Sequence, residues 1–224
     1  MITVIVPVLN EATVLELNLR RLIETQPPHE RIIVDGGSTD ETPEIAARLG
    51  KLIRSPRGRA IQMNRGAKLA QGEVLLFLHA DTWLEPGALE AVAQAVAKGY
   101  VGGTFSQTIE GSHPLYRWIE RAGNWRARFC RLFYGDAGIF VRREVFEQIG
   151  GFPEVPVGEE FEFSRRLRRA GRTVLLPVRI HISARRWEQE GIVRRTLKNW
   201  WITLLYHLGV PPERLARYYD PSVR

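Results

Sequence analysis

Acidic side chains stand directly after two apolar stretches of the chain. Asp81 and His79 follow the run 74–78, and Asp35 follows residues 31–34. In open α/β sheets, ligands bind beyond the carboxyl ends of the strands, so polar groups at strand ends are candidate functional groups. Carboxylate oxygens suit hard cations such as Mg²⁺. We therefore predict that Asp81 binds a metal ion, with capping of the next helix as the alternative.

Two histidines are candidate neighbours of this site. For His79 we favour packing beside the site over metal binding, because a lone imidazole after an apolar strand is usually structural. If His79 did bind a metal, it would suit Mn²⁺ better than Mg²⁺. His181 is a candidate further metal ligand. Arg185 and Arg186 follow it and are candidate phosphate partners.

Further acids occur in the second half of the chain. Glu159 and Glu160 begin a predicted helix, 158–171, whose end is basic, a polarity that suits the helix dipole. The residues alone favour an ordinary acidic helix start. Asp136 follows Gly135, where small residues leave room for a ligand and the carboxylate can bond hydroxyl groups.

The segments around these residues alternate between strand and helix patterns. Predicted strands are 2–6, 31–34, 51–54, 74–78, 101–109 and 173–177. Predicted helices are 12–23, 58–67, 86–97, 115–133 and 158–171, and a further helix is predicted to begin at a cap, Ser38 or Thr39. This alternation predicts an α/β fold with a mainly parallel central sheet and helices on both faces. The crevice of such a sheet would collect residues 7–11, Asp35 and Asp81.

Two segments are rich in aromatic and basic residues. In helix 115–133 we predict that the aromatic residues form core and the arginines a solvated face, and we assign no site there. The tail helix, 191–209, has the composition of an interfacial helix, with basic residues ahead of Trp200 and Trp201. We favour packing of the tail on the domain or on a second subunit, as in a homodimer, over membrane contact.

Composition restricts the class of protein. The chain has 224 residues with 44% hydrophobic and 25% charged residues, which suits one globular domain, 1–224. Its formal charge of +7 suits phosphate groups or anionic lipid, whereas the absence of zinc spacing and RNA-binding signatures argues against nucleic acid. Cys130 is the only cysteine, so no internal disulfide forms. Without a signal-peptide pattern or a spanning apolar run, we expect a cytoplasmic protein that at most lies on the inner face of the membrane.

Three motifs carry a family resemblance. Residues 6–11 (VPVLNE), 34–42 (VDGGSTDET) and 79–81 (HAD) resemble family 2 glycosyltransferases in both order and spacing. More narrowly, residues 58–64, Gly135-Asp136 and 164–167 resemble the small bacterial branch associated with radical-SAM and selenium-related (selenodomain) genes. The resemblance covers roughly residues 2 to 219. It implies a GT-A fold with a nucleotide-sugar half, 1–100, an acceptor half, 101–190, and a helical tail, 191–224.

The resemblance also implies an activity and its parts. The expected reaction is the inverting transfer of a sugar from a UDP- or GDP-linked donor to a hydroxyl acceptor, with a lipid-linked acceptor as one option and a divalent cation, Mn or Mg, as cofactor. The implied metal ligands are Asp81 and His181. Glu160 would be the general base, with Glu159 as the other candidate. The implied nucleotide-binding residues are Pro7, Val8, Asn10, Glu11, Asp35, Gly36, Arg59 and Ala80, and the implied acceptor-binding residues are Gly135 and Asp136.

This sequence departs from the family pattern at two positions. His79 replaces the first acid of the DxD motif, and Glu160 stands where relatives usually have Asp. These departures keep an inactive nucleotide-sugar or membrane-surface binder as an alternative. A sugar nucleotidyltransferase is a further alternative, but it would need a glycine-rich, basic start that residues 7–11 lack.

Overall fold

The computed structural model describes residues 1–216 and residue 218. Residues 217 and 219–224 of the predicted tail lie outside the described residues. One sheet has the strand order β3-β2-β1-β4-β7-β6-β8-β5. The strands are β1 (Ile2–Val8), β2 (Glu30–Asp35), β3 (Lys51–Arg54), β4 (Val74–Phe77), β5 (Thr82–Leu84), β6 (Gly102–Ile109), β7 (Ile139–Arg142) and β8 (Thr173–Ile182).

The sheet is mainly parallel. β1 pairs in parallel with both β2 and β4, β2 with β3, and β6 with β8. β7 runs antiparallel to β4 and β6, and β5 runs antiparallel to β8. The predicted α/β fold with a mainly parallel sheet is therefore confirmed.

Helices cover both faces of the sheet. They are α1 (Ala12–Thr25), α2 (Thr42–Leu49), α3 (Arg59–Lys68), α4 (Ala88–Ala97), α5 (Pro114–Trp125), α6 (Arg143–Gln148), α7 (Glu159–Ala170), α8 (Arg185–Glu190), α9 (Ile192–His207) and α10 (Pro212–Leu215). Val4 and Val6 of β1 pack in the cluster that includes α1, α2 and α4, whereas Ile5 packs in the cluster that includes α3, α6 and α7. Successive strand residues point to opposite faces, so β1 is apolar on both sides because both sides are covered.

Several predicted boundaries were wrong for local reasons. β1 continues through Pro7 to Val8. Proline cannot donate a backbone hydrogen bond, but pairing with β4 already ends at Ile5, so the proline removes no hydrogen bond to that strand. β4 ends at Phe77, and residues 78–81 form a turn before β5. The predicted cap at Ser38 or Thr39 was also wrong, since α2 begins only at Thr42.

The predicted core role of the aromatic residues in 115–133 was confirmed for Tyr116 and Phe133, which are buried, and was wrong for the other three. α5 ends at Trp125 and is followed by a π-helical turn, Arg126–Cys130. Trp118, Trp125 and Phe129 are 68%, 60% and 64% exposed. Helical spacing identified a common stripe, but spacing does not show which way the stripe faces.

Within residues 1–216 and 218, each helix is too short or too polar to span the hydrocarbon core.

Candidate active site

The loop after β1 is fixed by the loop after β2. Asn10 has a left-handed backbone, with φ of 54°, a conformation that asparagine tolerates better than most residues. Its amide N donates to Ser38 Oγ at 2.9 Å, and its Oδ1 accepts from the Thr39 amide at 2.8 Å. The Glu11 amide donates to Thr42 Oγ1 at 2.9 Å. These bonds hold the two predicted nucleotide-binding loops together at one end of the sheet.

Asp35 faces its own loop. Its carboxylate is buried and accepts hydrogen bonds from the Gly37 and Ser38 amides, both at 3.1 Å. Gly36 and Gly37 line the open cleft in front of this loop, but Asp35 does not. In the structure, Asp35, which was predicted to bind the nucleotide, therefore shapes its own loop and does not line the cleft.

Gln62 ties three elements together beneath the cleft. From α3, its Nε2 donates to the carbonyl oxygens of Val8, at 2.9 Å, and Val34, at 2.7 Å. The side chain is almost completely buried. The sequence offered Gln62 only as part of a motif, because its spacing on α3 does not reveal that two strand ends lie within its reach.

We predict that Gln62→Ala lowers the free energy of unfolding by about 2–4 kcal/mol, because it removes the two hydrogen bonds that the buried side chain donates and opens a cavity. Urea unfolding measures the change. Gln94→Ala is the matched control, because Gln94 lies on the exposed face of α4, and its effect should stay below about 0.5 kcal/mol. Equal losses for the two variants would contradict the assignment.

The first cavity is a wide cleft of about 680 Å³ at the ends of β1 and β2. It is lined by Pro7, Val8, Leu9, Asn10, Glu11, Gly36, Gly37, Thr39, Arg57, Gly58, Arg59, Gln62, His79, Ala80, Asp81, Arg185, Arg186 and Gln189. Four of these residues are arginines, and α3 begins at one of them, Arg59. Guanidinium groups and a helix N-terminus both attract phosphate. The cleft brings together the predicted nucleotide-binding residues other than Asp35.

Asp81 lies at the inner end of this cleft. The turn that carries it is held by Thr82, whose amide donates to His79 O at 3.2 Å, and by Asn18, whose Nδ2 donates to Ala80 O at 2.8 Å. Arg185 Nη2 is 3.1 Å from Glu11 Oε2 and 3.9 Å from Asp81 Oδ2. Burial raises the pKa of Glu11, Arg185 opposes that rise, and the negative charge of Asp81 adds to it.

The side chains near Asp81 suit a cation whose remaining ligands come from water and substrate phosphates. Within residues 1–216 and 218, no three His, Cys, Asp or Glu side chains form a preformed metal cluster. Mg²⁺ is usually held by one or two carboxylates together with waters and substrate phosphates, so Asp81 in a phosphate-sized cleft meets that requirement. The neighbouring acids Glu11 and Asp136 both lie within electrostatic reach of Asp81.

The structure does not bring His181 to Asp81. His181 is on β8, stacked on Trp83 with ring centroids 3.7 Å apart, and its Nε2 is 3.2 Å from Glu85 Oε1. It lines neither the cleft nor the second cavity. The last strand was predicted to end at residue 177, but β8 continues to Ile182. His181 therefore lies within the strand and pairs with β5.

His79 has the more central position. It lines both cavities, and its Nε2 is buried with no hydrogen-bond partner among the described residues. Burial, aided by the positive charges of Arg59 and Arg186, lowers the pKa of His79 well below its usual value. The imidazole is therefore neutral, which leaves a ring nitrogen able to accept a hydrogen bond.

The second cavity, of about 110 Å³, lies on the other side of Asp81. It is lined by Arg59, His79, Asp81, Tyr134, Gly135, Asp136, Val157, Gly158, Glu159, Glu160, Phe161, Ile182, Ser183, Arg186, Trp187, Arg195, Asn199, Ile202 and Thr203. Both predicted acceptor-binding residues and both candidate bases are among them. The tail helix α9 contributes four residues, which the sequence did not assign to a site.

The two glutamates at the start of α7 have different environments. Glu159 is buried, and its Oε1 is 3.2 Å from Arg59 Nε. Glu160 Oε2 is buried with no hydrogen-bond partner among the described residues. Burial, together with the negative charge of Glu159, raises the pKa of Glu160 to about 8, against the opposing effect of Arg59. Glu160 is thus the glutamate available to exchange a proton with a molecule in the cavity.

Asp136 is a further acid that lines this cavity. Its Oδ1 is enclosed and has no partner among the described residues. Burial raises the pKa of Asp136, while Arg126 opposes the rise. Arg126 lies over the Tyr134 ring at 3.3 Å, and Tyr134 Oη bonds Thr203 Oγ1 of α9 at 2.7 Å. The wall around Asp136 therefore depends on the tail helix.

The sequence was compared with known protein families. The family described as Glycosyl transferase family 2 matches residues 3–150. The chain belongs to glycosyl transferase family 2. The match includes the loops after β1, β2 and β4 and Asp136, but it ends before Glu159, Glu160 and the cleft residues Arg185 and Arg186. The predicted family is confirmed.

Individual relatives agree with this family 2 glycosyltransferase domain. The PGL/p-HBAD biosynthesis glycosyltransferase of Mycobacterium bovis is 35% identical over 162 residues, covering 68% of this chain and 63% of the relative. The probable glycosyltransferase YdaM of Bacillus subtilis is 24% identical over 229 residues, covering 89% and 52%. The chain thus spans about half to two thirds of the length of these curated relatives.

A solved structure supports the same fold. The mannosyltransferase PcManGT of Pyrobaculum calidifontis, in complex with GDP-Man and Mn²⁺, has a TM-score of 0.62 and 28% identity, covering 80% of this chain and 56% of that one. The predicted GT-A fold of this glycosyltransferase domain is confirmed.

Proposed function

We propose that this chain is a metal-dependent, inverting glycosyltransferase that moves a sugar from a nucleoside-diphosphate sugar to a hydroxyl group. The observation that carries the proposal is the shared wall of the two cavities. Asp81, His79 and Arg59 line both the arginine-rich cleft and the acid-lined cavity. A donor in the first and an acceptor in the second would meet at these residues.

The cleft suits a nucleoside diphosphate. Arg57, Arg59, Arg185 and Arg186 supply positive charge for the diphosphate, and Asn10 and Gly36 border the part left for the nucleoside. Binding of the GDP-linked donor by the P. calidifontis relative supports a nucleotide-sugar donor, with UDP- and GDP-linked sugars as the candidates. The narrower resemblance to the small bacterial branch belongs to this proposal as well.

Asp81 would hold the divalent cation, and Mn²⁺ in the same relative supports this assignment. When bound, the cation neutralises negative charge on the leaving diphosphate. Arg185, which contacts Glu11 and lies near Asp81, would add a second positive charge to the same phosphates. Glu11 would help orient Arg185.

Glu160 would act as the general base. Its free carboxylate oxygen takes the proton of the acceptor hydroxyl as that oxygen bonds to the anomeric carbon, and the bond from this carbon to the diphosphate breaks with its electron pair. One displacement inverts the anomeric configuration. Asp136 would position the acceptor by accepting a hydrogen bond, and Glu159 would hold Arg59 through their ion pair.

The test uses the full chain with UDP- and GDP-linked sugars, Mn²⁺ and a panel of glycoside acceptors. Release of nucleoside diphosphate with one donor, and a product of inverted anomeric configuration by proton NMR, is the expected result. Tight nucleotide binding without turnover of any donor would indicate an inactive binder instead. Consumption of a nucleoside triphosphate with a sugar 1-phosphate would indicate a nucleotidyltransferase.

A further inference from the structure

The tail helix α9 carries its apolar stripe on the outside. Its exposed large apolar residues recur at helical spacing and are 49% to 71% exposed; they are Val193, Leu197, Trp200, Trp201, Leu204 and Leu208. On the opposite side, Arg195 and Ile202 are buried. A surface helix normally turns its apolar stripe toward the core, so this stripe is the reverse of the usual pattern.

The segment 115–129 has a second stripe of the same kind. Trp118, Trp125 and Phe129 are each at least 60% exposed. A small cavity between the two segments is lined by Ile119 of α5 and by Thr196 and Trp200 of α9, among other residues, which shows that the helices are neighbours. We call the two stripes together the aromatic face.

The exposed charges on α5, the π-helical turn and α9 are positive, and Glu190 of α8 pairs with Arg195 and Lys198 of α9. Arg121, Arg128 and Arg131 are exposed. The only acid in residues 114–131 is Glu120, which is buried and lies 3.0 Å from Arg117, and residues 192–207 contain no acid. Exposed tryptophans beside cations are the composition of surfaces that lie in the interface of an anionic bilayer.

We propose that the aromatic face docks on the surface of a bilayer that contains anionic phospholipid. Two copies of the chain meeting through this face would bring their arginines together without compensating acids, whereas lipid phosphates would neutralise them. The α9 helix also lines the second cavity, through residues that include Arg195, Asn199 and Thr203. Docking would place that cavity about one helix diameter, roughly 10 Å, from the lipid. If the cavity is the acceptor site of the proposed function, the acceptor class is a hydroxyl compound with a lipid anchor.

The experiment is co-sedimentation of the full chain with vesicles, without donor or acceptor. Vesicles of phosphatidylcholine alone are compared with vesicles of equal parts phosphatidylcholine and phosphatidylglycerol. We expect binding to the anionic vesicles that weakens with added salt. The double variant Trp118→Ser with Trp201→Ser should lower the partition coefficient about tenfold or more, because two interfacial anchors are removed. Leu17→Ser, at a residue of α1 that is 55% exposed, is the matched control and should bind like the unchanged chain.

A charge variant tests the lipid headgroup. Arg121→Glu with Arg128→Glu should reduce binding to anionic vesicles, while Arg65→Glu with Lys68→Glu on α3 should have a much smaller effect. The proposal is overturned if the chain does not pellet with anionic vesicles, or if the control variants lose as much binding. It is also overturned if sedimentation velocity shows a dimer that the tryptophan variant dissociates. Vesicle binding without sugar transfer would overturn only the proposed function, and transfer to soluble acceptors without vesicle binding would overturn only this inference.

Discussion

Replacement of Asp81 by Asn is expected to lower the rate of nucleoside diphosphate release by about 10²–10³-fold, the usual loss when one electrostatic partner of a transition state is removed. Asn keeps the shape of the side chain but lacks the charge that would hold a divalent cation. The turn should survive, because its hydrogen bonds come from Asn18 and Thr82. Steady-state release assays, with the donor that the panel of UDP- and GDP-linked sugars selects, measure the effect.

Nucleotide affinity provides a readout of Asp81 that does not depend on turnover. In the unchanged chain, Mn²⁺ should tighten binding of the nucleoside diphosphate relative to binding in EDTA, as measured by calorimetry. In Asp81→Asn the two affinities should become nearly equal. Glu90→Gln is the control for loss of one negative charge, since Glu90 is exposed on α4. Full turnover in Asp81→Asn, or an unchanged response to Mn²⁺, would exclude Asp81 as the metal ligand.

Replacement of Glu160 by Gln should lower the transfer rate by about 10²–10⁴-fold, the range typical of a lost general base. Nucleotide affinity should change by less than about twofold, because Glu160 lines the second cavity and not the donor cleft. Glu160→Asp should keep part of the activity, since it restores a carboxylate with a shorter reach. Rapid-quench measurement of transfer and calorimetry with the nucleotide separate the two effects.

Glu159→Gln is the discriminating comparison. Glu159 is paired with Arg59, which lines the donor cleft, so its loss should weaken donor binding and leave a measurable transfer rate. If Glu159→Gln abolishes transfer with unchanged nucleotide affinity while Glu160→Gln does not, the two roles are reversed. The structure favours Glu160 because its Oε2 is enclosed beside the cavity without a partner among the described residues.

The pH dependence of transfer follows from the same carboxyl group. With a pKa of about 8, Glu160 is mostly protonated at neutral pH and cannot accept a proton. The value of kcat/KM should therefore rise about tenfold per pH unit below that value and level off above it. The stability contribution has the opposite sign: since burial favours the protonated carboxyl, stability falls as pH rises from the ordinary glutamate pKa of 4.5 to about 8. A profile for the unchanged chain that is flat between pH 6 and 9 would contradict the assignment.

The donor half could be anticipated from local patterns. Short β-branched runs and helical spacing placed β1, α1, β2 and α3 close to their observed bounds, because a sheet covered on both faces requires apolar strands and one-sided helices. Because those strands are parallel, the polar residues that follow them lie at the same end of the sheet. The predicted nucleotide-binding residues, other than Asp35, accordingly line one cleft.

Orientation and long-range contact were beyond the sequence. Period and composition do not show which side of a helix is covered, so Trp118, Trp125 and Phe129 were taken for core although each is at least 60% exposed. His181 was taken for a site residue, although strand pairing holds it against Trp83 and Glu85. Gln62 received no role because its two partners lie 54 and 28 residues away.

The sequence by itself determined the family, the alternating architecture and the position of Asp81 at the edge of the sheet, because these depend on residues close together in the chain. Only the tertiary structure decided that His79 lines both cavities, that Arg59 pairs with Glu159 and that Glu160 Oε2 is buried without a hydrogen-bond partner among the described residues. Burial and partner choice set the charge state of these groups, and both arise from segments far apart in sequence. The sequence alone therefore identifies Asp81 as a candidate metal ligand. The position of the acid-lined cavity beside the arginine-rich cleft is a property of the fold.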